Sequence, residues 1–155
     1  MAKYTLGILL GANTQATDSY KLGNSAAEYN DKDRNKAVKL STTTEGTMVL
    51  CAADDEIEGF IASVESFTQD GQTFGTVVRK GPLVRQLVTA GAALNLGDYV
   101  VSDAQEAAKT NTGPTQHVTN NIGLTKVKKK ASGTSGWRVV SVRDSAAKIY
   151  VIESV

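Results

Sequence analysis

Residues 58–81 read "EGFIASVESFTQDGQTFGTVVRKG", and this stretch sets the fold class. Two runs rich in β-branched and aromatic residues flank Asp70-Gly71, a pair that tight hairpin turns prefer. Gly81-Pro82 then breaks the run, as glycine and proline do between elements. The stretch predicts a β-hairpin followed by a connection.

The same grammar extends in both directions. Upstream, "KAVKLSTTTEGTMVLCAA" (36–53) reads as two strands about a Glu45-Gly46 turn. Downstream, "LVRQLVT" (83–89) opens another strand, and "AGAALNLGDYVVSDA" (90–104) follows it. The chain ends in "WRVVSVRD" (137–144) and "KIYVIESV" (148–155), joined at Ser145-Ala146. Fourteen glycines, two prolines and abundant Thr, Ser and Val favour short strands over helices. The expectation is an all-β protein, a small barrel or sandwich. In the last two strands, Val139, Val140 and Val142, and Ile149, Tyr150, Val151 and Ile152, occupy both faces. Strands apolar on both sides are covered on both sides, and a neighbouring subunit is the expected second cover.

Two segments depart from this pattern. Residues 1–36 are polar after their first apolar residues and carry the charged cluster "EYNDKDRNK" (28–36). They read as an N-terminal arm, with Tyr4, Tyr20 and Tyr29 spaced to anchor it to another surface or back onto its own domain. Residues 37–155 then form a single barrel domain. Within it, residues 111–136 read as a long polar loop insertion, with turns at Gly113-Pro114, Asn120-Asn121 and Ser132-Gly133.

The bulk numbers narrow the function. A chain of 155 residues is the size of one domain, able to bury roughly two-thirds of its unfolded surface. With 41% hydrophobic and 21% charged residues it reads as globular. A formal charge of +1 gives no global field toward nucleic acid or an anionic membrane. No apolar run reaches 18 residues, and the apolar stretch 6–12 is interrupted by Gly7 and Gly11, so it is read as mature sequence. Cys51 is the one cysteine, which excludes an internal disulfide and fits a reducing compartment. His117 is the one histidine and lies in a polar stretch.

That inventory leaves little for catalysis. A nucleophile-histidine pair would need Cys51, set within a strand, or His117 in a loop. Zinc needs several Cys or His ligands, and phosphate-binding glycine motifs are missing. "SAAK" (145–148) matches the serine-lysine spacing of acyl-enzymes but falls between two strands, without companion motifs. No cofactor is expected. Lys109 lacks the hairpin context of a biotinyl or lipoyl lysine.

Two charge runs remain. "DDEIE" (54–58) reads as a solvated turn, with a weak cation site at Asp54, Asp55, Glu56 and Glu58 as the alternative. "KVKKK" (126–130) puts Lys126, Lys128, Lys129 and Lys130 on the polar insertion. It has neither arginine nor an interleaved aromatic for stacking on bases, so it reads as a solvated loop, with an acidic protein surface as the first alternative.

Taken together, "EGFIASVES", "VVRKGPLVRQLV", "TAGAALNLGDYVVSDAQEAAK" (89–109) and "GWRVVSVRDSAAKIYVIES" resemble the capsid decoration (cement) proteins of tailed bacteriophages, in their small β-barrel group. The resemblance covers residues 58–155. It implies a virion protein on the capsid exterior, a homotrimer that bridges major capsid subunits, with no catalytic residues, membrane or specific nucleic-acid partner. Lys3, Tyr4, Tyr20 and Tyr29 of the arm and Lys126, Lys128, Lys129 and Lys130 are then the candidate partner contacts. Gly91, Gly97 and Asp98 are expected to be turn scaffold: the glycines for backbone freedom, Asp98 to cap its own turn. The alternative is another β-barrel binding module, a tail or fibre component or a carbohydrate binder. Against the latter, Trp137 is expected in the core.

Overall fold

A computed structural model describes residues 8–10, 17–23, 29, 33–65, 73–82, 84–104 and 124–155. Lys3, Tyr4, Asp70-Gly71, Lys109, His117 and the turns at Gly113-Pro114 and Asn120-Asn121 lie outside them. The fold is all-β: a small closed barrel packed against a half-barrel sheet.

The barrel grows from the hairpin that the sequence marks. β5 (Gly59–Glu65) pairs antiparallel with β6 (Thr73–Arg79), with Ile61 opposite Val77. β3 (Ala37–Leu40) and β4 (Thr47–Leu50) form the second hairpin, and β3 joins β5. Closure comes from β2 (Thr17–Leu22), which pairs parallel with β4 and antiparallel with β6, giving the ring β2-β4-β3-β5-β6. So part of the segment read as an arm is a barrel stave. Gly75 makes that fit possible, because a Cβ there would lie 2.5 Å from Leu22 Cδ1 and 2.6 Å from the Ser63 carbonyl.

Side-chain alternation across these strands divides the apolar residues between two cores. Leu22, Tyr29, Val38, Met48, Ile61 and Val77 fill the barrel. Ala37, Phe60 and Val78, aligned across β3, β5 and β6, point the other way and join the core shared with the second sheet.

That second sheet has the order β10-β11-β7-β9-β8. β7 (Val84–Ala90) is its spine. It pairs antiparallel with β11 (Ile149–Ser154) on one side. On the other it pairs with β1 (Ile8–Leu10) along its first half and, in parallel, with β9 (Thr125–Lys129) along its second. β8 (Val100–Ser102) adds to β9, and β10 (Trp137–Asp144) to β11. Val84, Val88, Val127, Val139, Tyr150 and Ile152 face the barrel. Gln86 is fully buried on β7; its Nε2 donates to the Leu87 carbonyl while Oε1 has no partner among the described residues.

Trp137 seals the two layers. It is fully buried, packs edge-on against Phe60 with centroids 5.1 Å apart, and donates Nε1–H to the Ile57 carbonyl at 3.1 Å. It is therefore core, not a sugar platform.

The two-faced reading of the last strands holds for β11 within one chain, where Tyr150, Val151 and Ile152 are all buried. In β10, by contrast, Val142 is 42% exposed within the one chain. Register shifts between Val139 and Ser141 and between Val142 and Asp144 bend β10 as it runs out along the sheet edge.

Candidate functional site

The lysine run is not on a loop. Thr125 and Val127 are buried while Lys126 and Lys129 are exposed and Lys128 half-buried. Thr-Lys-Val-Lys thus alternates as a strand with one wet face, and β9 lies inside the sheet between β7 and β8. The polar insertion expected over 111–136 is a strand over Thr125–Lys129, and 111–123 lie outside the described residues.

Each lysine of the run meets a carboxylate of the same chain. Lys126 Nζ lies 3.5 Å from Asp103, Lys128 Nζ 2.8 Å from Asp54, and Lys129 Nζ 2.7 Å from Asp98. Lys130 Nζ pairs with Glu56 and also donates to the Thr134 carbonyl at 2.7 Å. One step away, Lys39 Nζ is 2.6 Å from Asp55. The acidic run 54–58 and the lysine run thus face each other. Within the chain the lysines thus already face carboxylates of their own. The carboxylates of the cation alternative lie in the same pairing. Asp54, Asp55 and Glu56 are engaged by ammonium groups, Glu58 stands 4.0 Å from Arg79, and no metal-holding group of three acidic, Cys or His residues occurs among the described residues.

Backbone contacts reinforce this charged seam. The Asp54 N–H donates to the Ser102 carbonyl and the Ser102 N–H to the Asp55 carbonyl, both at 3.0 Å, so the β4–β5 connection lines the outer edge of β8 at Ser102. Asp54 sits in the left-handed region at φ 69°, which aspartate tolerates better than most residues. Partial burial alone would raise the Asp55 carboxyl. The Lys39 ammonium and the Ala52 N–H, 2.7 Å away, outweigh it and hold the carboxyl below its usual value.

The "LGDYV" turn is scaffold of two kinds. Gly97 has φ 84° and open space around it, so only its backbone angle selects glycine. Its N–H donates to the Val139 carbonyl at 2.8 Å, and the Val139 N–H donates to the Asp98 carbonyl at 2.9 Å, fastening the turn to β10. Asp98 accepts from Lys129 and from the Asn95 N–H at 2.9 Å, which together hold its carboxyl below the usual range. Gly91 differs: its φ is not left-handed, and a Cβ would sit 3.2 Å from the flexible end of Lys126.

Of the three tyrosines expected on the arm, the two described, Tyr20 and Tyr29, also turn inward. Tyr29 is buried, accepts from the Leu50 N–H at 3.1 Å, and burial pushes its phenol pKa up. Tyr20 packs against the barrel core and accepts from Arg79 Nη1 at 3.3 Å. Cys51 is buried, and burial followed by the Asp55 charge pushes its thiol up to about 12. In "SAAK", Lys148 Nζ donates to the Gly91 carbonyl at 2.7 Å. Exposed large apolar side chains among the described residues are Leu40, Phe74, Leu96, Val142 and Val155, with Leu96 and Val155 about two-thirds exposed.

No model of a known protein family matches the chain, and no curated protein does either.

Proposed function

We propose that the chain is a structural virion protein that binds the outer surface of an assembled phage capsid and stabilises it by bridging major capsid subunits. The reading rests on the resemblance over residues 58–155. The observation that carries it furthest is the use made of its most distinctive stretch. Gly97-Asp98 builds and fastens a turn, by its φ of 84° and its bonds to Val139, Asn95 and Lys129, which is scaffold work. The packed interior around Phe60 and Trp137 is consistent with a protein that acts through its outer surface.

The mechanism is linkage: a protein that binds only the expanded lattice stabilises that lattice by its binding free energy. As a homotrimer at a local threefold point, each protomer meets an equivalent patch. The β9 lysines are matched in charge by their own chain, so the affinity is assigned to apolar contacts such as Leu96 and Val155, with the N-terminal residues Lys3 and Tyr4 as further contacts. Co-sedimentation with purified empty heads tests this. Saturable binding to expanded heads, reduced in Leu96→Asp, is expected. Binding to no head form contradicts the proposal.

A further inference from the structure

β8 ends the second sheet, and among the described residues its outer backbone edge is met at Val100 by Ser135 Oγ, which donates to the Val100 carbonyl at 2.7 Å, and at Ser102 by the connection between β4 and β5. This connection is anchored at both ends. Cys51 is buried on one side; on the other Ile57 is buried and its carbonyl accepts from Trp137. Between these anchors, Ala52, Ala53, Asp54 and Glu56 are exposed and Asp55 is half-buried. Two hydrogen bonds to Ser102 and ion pairs to Lys39, Lys128 and Lys130 hold the span down, with Asp54 in the left-handed region.

We propose that residues 52–56 are an ionic strap: a guard over the β8 edge that opens locally as salt rises, while the barrel and half-barrel stay joined. An uncovered strand edge is a template for pairing with another chain, and native proteins cover such edges. A strap held by exposed ion pairs is weakened by screening, since the Debye length falls from about 10 Å at 0.1 M salt to about 3 Å at 1 M. The apolar anchors at Cys51 and Ile57 are not weakened in this way, so opening is confined to the span between them.

Amide hydrogen exchange on the full chain tests the strap. The Asp54 and Ser102 amides bond across the strap, while the Ile61 amide, which donates to the Lys36 carbonyl, is the reference in the barrel. Between 0.05 and 1 M NaCl, the exchange of Asp54 and Ser102 relative to Ile61 is expected to rise by about three- to thirtyfold. In a Lys128→Gln/Lys130→Gln variant the same two amides are expected to exchange fast already at low salt, with most of the salt dependence gone. Trp137 fluorescence reports that the variant is folded. Asp54 and Ser102 amides that follow Ile61 at every salt concentration overturn the proposal, and so does a variant that keeps the full salt response.

Discussion

Two contacts between the barrel and the half-barrel, an apolar joint and a charged seam, use opposite physics. At the apolar joint, Trp137, Phe60 and Val78 lie in a shared core from which water is excluded. At the charged seam, three carboxylates of the β4–β5 connection meet Lys39, Lys128 and Lys130 at the surface, with the Asp54 side chain 73% exposed. Burial of a large aromatic contributes several kcal/mol, whereas an exposed ion pair contributes about 0.2–1 kcal/mol. The joint therefore holds the layers together, and the seam decides how tightly one connection lies on one strand edge.

The largest expected effect is at the joint. Trp137→Ala leaves a cavity beside Phe60 and deprives the Ile57 carbonyl of its donor. A loss of about 3–5 kcal/mol is expected, measured by urea unfolding. A loss below 1 kcal/mol would mean that the layers do not depend on this contact.

Two glycines then separate the cost of space from the cost of backbone angle. Gly75→Val drives side-chain atoms into Leu22 and the Ser63 carbonyl. It is expected to lower stability by about 1–3 kcal/mol, with lost exchange protection along β2. Gly97→Ala meets no atom within 4 Å and bears only the left-handed φ of 84°, about 1–2 kcal/mol. Its melting temperature should fall without loss of β2 protection.

Acid tests the seam and its neighbour. The Asp98 and Asp55 carboxyls are lowered in the folded state. Their contribution is thus complete above the unfolded value of about 3.9 and is lost as pH falls through the lowered folded values. Melting temperature should therefore drop below about pH 4, and Asp98→Asn should flatten that drop.

Most of the fold was readable because it is local. The β3–β4, β5–β6 and β10–β11 hairpins follow from turn residues between β-rich runs, and Trp137 was expected in the core. The barrel's closure was not readable. β2 pairs with β4 and β6 across dozens of residues, and "TDSYKL" has a wet face that reads as polar arm. The seam was half readable. The alternation of Thr125, Lys126, Val127 and Lys128 is a strand signal that the density of charge obscured. No local pattern, however, could match Glu56 with Lys130, 74 positions later.

The central claim is that the two charge runs satisfy each other, and a double-mutant cycle measures this directly. Asp54→Asn/Glu56→Gln forms one arm and Lys128→Gln/Lys130→Gln the other, with stability read from urea unfolding at low salt. The account predicts that the combined variant loses less than the two arms summed, by about 0.5–2 kcal/mol, and that this coupling fades at 1 M NaCl. Additive losses at low salt would contradict it.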